Sequence, residues 1–137
     1  MKKRVLIVDD EKHITTFLSH ALEAEDVEVV SAEDGQIALD YIYANDVDMV
    51  ITDIKMPHVN GIQLFYAVKQ RSPFTQVIVV TGYPSLEHIS EMMEAGANDF
   101  IIKPFDIAHF KEVVSDGFRR IERWRGIRRE LAFIGRK

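Results

Sequence analysis

Five side chains that could share one piece of chemistry are scattered along the chain, each placed where an apolar run stops. Asp9 and Asp10 follow Arg4-Val5-Leu6-Ile7-Val8, and Asp53 follows the run from Val47 to Thr52. Thr81 ends Gln76-Val77-Ile78-Val79-Val80, and Lys103 ends Asp99-Phe100-Ile101-Ile102. Taken singly, each has an ordinary structural explanation: Asp caps helices, Thr ends strands, and Lys before Pro is solvated. As a set they are chemically coherent. Gathered carboxylates raise one another's pKa unless a cation sits among them. An all-oxygen donor set without His or Cys suits a hard ion, and Mg²⁺ takes one or two carboxylates while keeping several waters. A metal-bound carboxylate beside a Lys charge and a hydroxyl is suited to receive a phosphoryl group, because the positive groups offset charge on the equatorial oxygens. Asp can itself be the nucleophile and form an aspartyl phosphate.

Such a set needs elements that bring distant residues to one edge. The run from Val47 is rich in β-branched residues and broken at Met56-Pro57 and again at Asn60-Gly61. Continuous apolar runs between turn signals suit strands buried on both faces of a parallel sheet, and Pro57 cannot continue such a strand. Asp53 is therefore expected at the carboxyl end of a central strand, where open α/β sheets bind ligands. Ile14, Phe17, Leu18, Ala21 and Leu22 recur at helical spacing after the first run. Glu28 to Ala32 reads as a less apolar strand nearer an edge, and Asp34 as the N-cap of a helix carrying Ile37, Ala38, Tyr41 and Ile42. A third helix carries Ile62, Leu64, Phe65, Ala67 and Val68 and stops near Ser72-Pro73. A fourth runs from about Ser85 to Ala95, with Gly96 as its αL terminator, and a last one begins near Asp106. Strands alternating with helices predict right-handed βαβ units and one parallel sheet covered on both faces.

At 137 residues the chain is one domain's worth. Its 47% hydrophobic and 28% charged residues are ordinary globular values, and no apolar run approaches the roughly 20 residues needed to span a bilayer. Absence of Cys rules out disulfides and thiolate metal sites and is compatible with a reducing cytoplasm, the expected location. The basic opening Met1-Lys2-Lys3-Arg4 is followed by only four apolar residues before Asp9-Asp10-Glu11, too few for the core of an export signal. The net charge of −5 hides an asymmetry: Arg119 to Lys137 carries +6, from eight basic and two acidic residues, and the remaining 118 residues carry −11.

The ordered motifs VDDE, DIKMPHVNG, VTG and DFIIKPF resemble those of the receiver domains of two-component response regulators, over roughly residues 2 to 120. The resemblance implies a flavodoxin-like, doubly wound five-stranded parallel sheet of order 2-1-3-4-5 with five helices. It implies a phosphoacceptor at Asp53, with phosphoryl donated by a sensor histidine kinase or phosphotransfer protein. Asp10 would ligate Mg²⁺ directly, Asp9 mainly through a bound water, and the Lys55 carbonyl would complete the protein's share. Thr81 and Lys103 match the phosphoryl-binding hydroxyl and ammonium, and the Lys103-Pro104 bond is expected to be cis. Phe100 matches the switch aromatic that moves when Thr81 is drawn toward the phosphoryl group, remodelling the surface of the fourth helix and fifth strand for an output domain or downstream protein. On this reading the chain is not a turnover enzyme. A phosphatase of the haloacid-dehalogenase kind also uses a strand-end Asp and Mg²⁺, but it typically has a second Asp two residues on, where this chain has Lys55. A receiver-like module that binds partners without phosphorylation would not need the complete acidic set.

Lys55 and Tyr83, each two residues beyond a site residue, either flank the site mouth or are simply exposed loop residues; His58 is expected to be solvated. Residues 1–120 form the expected receiver and 121–137 a basic helical extension. Phe110, Val114, Gly117, Ile121, Trp124, Arg128 and Leu131 alternate at spacings of four and three, a coiled-coil seam flawed at Gly117 and Arg128. A linker to an output domain or a homodimerising helix is favoured. Membrane insertion is not expected, and a basic tail alone is poor evidence for direct nucleic-acid binding.

Overall fold

Successive residues of a strand face opposite sides, so each apolar run divides itself between two layers. The computed structural model, which describes residues 2–135, contains strands β1 Lys3–Val8, β2 Val27–Ala32, β3 Met49–Thr52, β4 Gln76–Thr81 and β5 Asp99–Ile102. They alternate with helices α1 Lys12–Ala21, α2 Gly35–Ala44, α3 Gly61–Arg71, α4 Leu86–Glu94 and α5 Ile107–Gly135. All strand pairs are parallel and their order is β2-β1-β3-β4-β5, the flavodoxin-like arrangement. Val5, Ile7, Met49, Ile51, Ile78 and Val80 pack toward α1 and α5, with Leu18, Phe110 and Val114. Their alternates Leu6, Val8, Val50, Val77 and Val79 pack on the other face with Ile42, Leu64, Phe65 and Met92. β2 lies at the edge, and Val29 and Val30 are only half-buried.

The helix ends follow local chemistry. Asp34 caps α2 by accepting from the Ile37 amide at 2.8 Å. Asn60-Gly61 is not only a break but the start of α3: Asn60 Oδ1 accepts from Gln63 N, and Gln63 Oε1 accepts from Asn60 N, both at 2.9 Å. Ser85 caps α4, and Gly96 follows it with φ +105°. Phe17 departs from expectation. The buried residues of α1 are Thr15 and Leu18, continued by Leu22 at its C-cap, and Phe17 falls outside this stripe with 55% exposure.

α5 continues unbroken past the body of the domain. Phe110, Val114, Gly117 and Ile121 are buried in the domain's own core, so this part of the four-three series is not open to a partner helix. A Cβ on Gly117 would lie 2.4 Å from Met49 Cε, so the apparent flaw in a seam is a close helix-to-strand approach. Beyond it, the Trp124 ring packs on Phe74 with centroids 5.8 Å apart, and the Arg128 guanidinium lies 4.9 Å from the same Phe74 centroid. Arg125 pairs with Asp48 at 3.1 Å, and Glu122 with Lys3 at 2.9 Å. The first turns of the extension are thus tied to the base of the sheet, and Leu131 is exposed. Arg136 and Lys137 of the basic tail lie outside the described residues.

Candidate functional site

Parallel pairing brings the ends of β1, β3, β4 and β5 to one edge, and short backbone links fix them there. Asp53 N donates to Val8 O at 3.0 Å, and Lys103 N donates to Thr81 O at 2.9 Å. Asp9 and Asp53 are buried, 3% and 6% exposed, whereas Asp10 is exposed. Lys103 Nζ lies 2.9 Å from both Asp9 Oδ2 and Asp53 Oδ2. The second oxygens are also held: Asp53 Oδ1 accepts from Ile54 N at 2.7 Å, and Asp9 Oδ1 from Glu11 N at 3.0 Å. Burial opposes the Lys103 charge, but the hydrogen bonds and attraction of Asp9 and Asp53 outweigh it and raise the pKa above its ordinary 10.5. The Lys103-Pro104 bond is cis.

Carboxylate oxygens of Asp9, Asp10 and Asp53 lie within 4.8 Å of one another. One ammonium against three carboxylates leaves negative charge at the edge, and an all-oxygen donor set there fits a hard divalent cation. Thr81 is buried, and its Oγ1 accepts from Tyr83 N at 3.1 Å. Among the described residues no acceptor takes its O–H proton, which is free to be donated. Phe100 is half-buried against the layer that contains Val79 and Met92.

A groove of about 850 Å³ opens beside Asp10, between the β3–α3 and β4–α4 loops, lined by Met56, Pro57, Pro84 and His88 together with Lys55 and Tyr83. Both of the last two side chains are exposed, as loop residues would be, yet they meet: Lys55 Nζ lies 4.0 Å from the Tyr83 ring centroid. His58 is exposed, with φ +68°, and does not line this groove.

Gly61 was legible only as a turn residue. A Cβ at this position would lie 1.9 Å from Asp53 O, so the first turn of α3 presses on the backbone that carries Asp53. Gly61→Ala is expected to cost about 1–3 kcal/mol in a denaturant titration, because the intruding atom meets backbone rather than a flexible side-chain end.

Comparison with known proteins identifies the family and the fold. The model of the response regulator receiver domain family matches residues 5–115, and the chain belongs to that family. It is 32% identical over 118 residues to the response regulator protein PilR of Pseudomonas aeruginosa, covering 86% of this chain but 26% of PilR. It is 33% identical over 114 residues to sporulation initiation phosphotransferase F of Bacillus subtilis, covering 83% of this chain and 92% of that protein. A CheY-like receiver domain structure from Methanospirillum hungatei superimposes with a TM-score of 0.85 at 32% identity, covering 90% of this chain and 98% of the other. The chain therefore has the fold and family of a receiver domain, a signalling switch of response regulators. Among the described residues no helix is long and apolar enough to cross a membrane.

Proposed function

We propose that Asp53 is the phosphoacceptor of this switch, charged by a sensor histidine kinase or phosphotransfer protein. The observation that carries the reading is the Lys103 ammonium placed 2.9 Å from both Asp9 and Asp53, with the Thr81 hydroxyl at the same edge. The Asp53 carboxylate attacks phosphorus, a P–O bond forms, the P–N bond to the donor imidazole breaks, and the imidazole leaves. Lys103 is placed to offset charge on the phosphoryl oxygens, and Thr81 has a free proton to donate to one of them. Asp9, Asp10, Asp53 and the Lys55 carbonyl would hold Mg²⁺, which supplies further neutralisation of phosphoryl charge when bound.

Phosphorylation adds about 1.5 to 2 negative charges at the carboxyl edge. Drawing Thr81 toward them gives Phe100 room to move and alters the face formed by α4, β5 and α5. That face already exposes Leu86, Met93 and Ile102, at 82%, 60% and 51%, and is the surface through which an output domain, a downstream protein or a second copy would be controlled. On this reading the domain works in the cytoplasm, residues 1–120 act as the receiver, and 121–137 link it to the output or to a homodimer partner. Direct nucleic-acid binding is not assigned to this segment. The test is uptake of phosphoryl from acetyl phosphate in the presence and absence of Mg²⁺, with Asp53 variants as controls.

Lys55 and Tyr83 clasp across the site mouth and are proposed to restrict the approach of attacking water. A cation–π contact at an exposed site contributes about 0.5–1 kcal/mol, so Lys55→Ala with Tyr83→Ala should speed loss of the phosphoryl group by about two- to fivefold. An unchanged decay rate of the phosphorylated double variant would reject that role.

A further inference from the structure

The opposite edge of the sheet, roughly 20 Å from Asp53 at about 3.3 Å per strand residue, carries a larger groove that the switch chemistry does not use. It has a volume of about 1070 Å³ and lies between the amino ends of the strands, the α3–β4 loop and the last turns of α5. Its wall is partly apolar, through Ile42, Val47, Val68 and Phe74, and Phe74 is 41% exposed. Six cationic and three acidic side chains also line it. Three of the cations are engaged within the domain: Arg4 with Glu28 at 3.3 Å, Arg125 with Asp48 at 3.1 Å, and Arg71 with the Ile42 carbonyl at 2.8 Å. The other three, Lys2, Arg128 and Arg129, meet no carboxylate among the described residues, and Arg128 lies over the Phe74 ring.

We propose that this groove docks an acidic amphipathic segment of a partner protein, with apolar side chains against Phe74 and carboxylates on Lys2, Arg128 and Arg129. Charge complementarity selects that occupant. Glu28, Asp46 and Asp48 stand in the same wall and repel a continuous phosphate backbone, whereas a polypeptide places neutral residues opposite them. A flat anionic bilayer fits a concave site poorly, and the rest of the chain around it carries −11. A second copy's +6 tail would be repelled by the cations of the groove, which disfavours that tail as its occupant. The proposal stands apart from the phosphoacceptor reading, since none of these residues belongs to the carboxyl edge.

Trp124 is the sole tryptophan and packs on Phe74, so its emission reports occupation of the groove. The full chain is titrated with a synthetic amphipathic Glu/Leu peptide, the matched Lys/Leu peptide, a single-stranded DNA oligonucleotide, and vesicles of equal parts phosphatidylglycerol and phosphatidylcholine. Saturable one-to-one binding is expected for the acidic peptide alone, weakened by added salt. It should weaken roughly tenfold or more in a Lys2→Glu, Arg129→Glu variant. Both replaced side chains are exposed, and Arg129→Glu alone, checked by circular dichroism, gives the same direction of effect should the double variant misfold. The proposal is overturned by absence of acidic-peptide binding up to about 1 mM, or by binding that survives charge reversal. It is equally overturned by comparable or tighter binding of the Lys/Leu peptide, DNA or vesicles, or by groove-dependent self-association in place of peptide uptake.

Discussion

Asp53→Asn will take up no measurable phosphoryl group from acetyl phosphate and Mg²⁺ under conditions that label the wild type, a loss of roughly 10³-fold or more. Asn nearly preserves the shape of the side chain, and its carbonyl can still accept the Ile54 amide that Asp53 Oδ1 accepts at 2.7 Å. What disappears is the anionic oxygen aimed at Lys103, and with it the nucleophile. Phosphate content measured by intact mass, beside a circular dichroism spectrum matching wild type, separates this chemical loss from misfolding. Labelling of the variant at the wild-type rate would show that another side chain is the acceptor.

Lys103→Met should be the most damaging single change for stability. Its ammonium is the partner of two carboxylates that are 3% and 6% exposed. Removing one member of a buried ion pair costs about 3–5 kcal/mol because the remaining charge is left uncompensated. Denaturant titration should place the variant in that range below wild type, and added Mg²⁺ should recover part of the loss, since a cation among the carboxylates replaces some of the missing charge. The pH dependence has a definite sign. The Lys103 pKa is raised on folding, so its contribution is fully present below the unfolded value near 10.5 and is lost as pH rises through the folded value. Wild type should therefore lose stability in that alkaline window by an amount the Met variant does not. Equal stabilities of the two proteins at neutral pH would contradict the assigned role of the ion pair.

The strand ends were readable because each apolar run stops at a polar residue of distinctive chemistry, and parallel pairing then leaves only one edge on which Asp9, Asp53, Thr81 and Lys103 can gather. The order of the strands came through the motif resemblance rather than through periodicity, which says nothing about neighbours. Phe17 and Gly117 mark where pattern failed. Helical spacing alone does not fix which of several adjacent apolar residues the sheet will cover, and Gly117 is explained only by Met49, 68 positions earlier in the chain. The Lys55–Tyr83 contact joins two loops whose approach depends on the folded sheet, so spacing suggested a shared mouth but not the contact. The same limit hid the base of α5. Phe74 looks like one apolar residue in a short loop, and nothing local indicates that Trp124 and Arg128 will meet its ring.

Receipt of the phosphoryl group by Asp53 is decided by locating the acyl phosphate itself. Wild-type protein incubated with acetyl phosphate and Mg²⁺ is reduced with borohydride, which converts an aspartyl phosphate to homoserine, and the digested peptides are sequenced by mass spectrometry. Homoserine is expected at position 53 and at no other acidic residue, with none formed when acetyl phosphate is omitted. Homoserine at position 9 or 10, or unmodified Asp53 in protein that has gained phosphate, would contradict it.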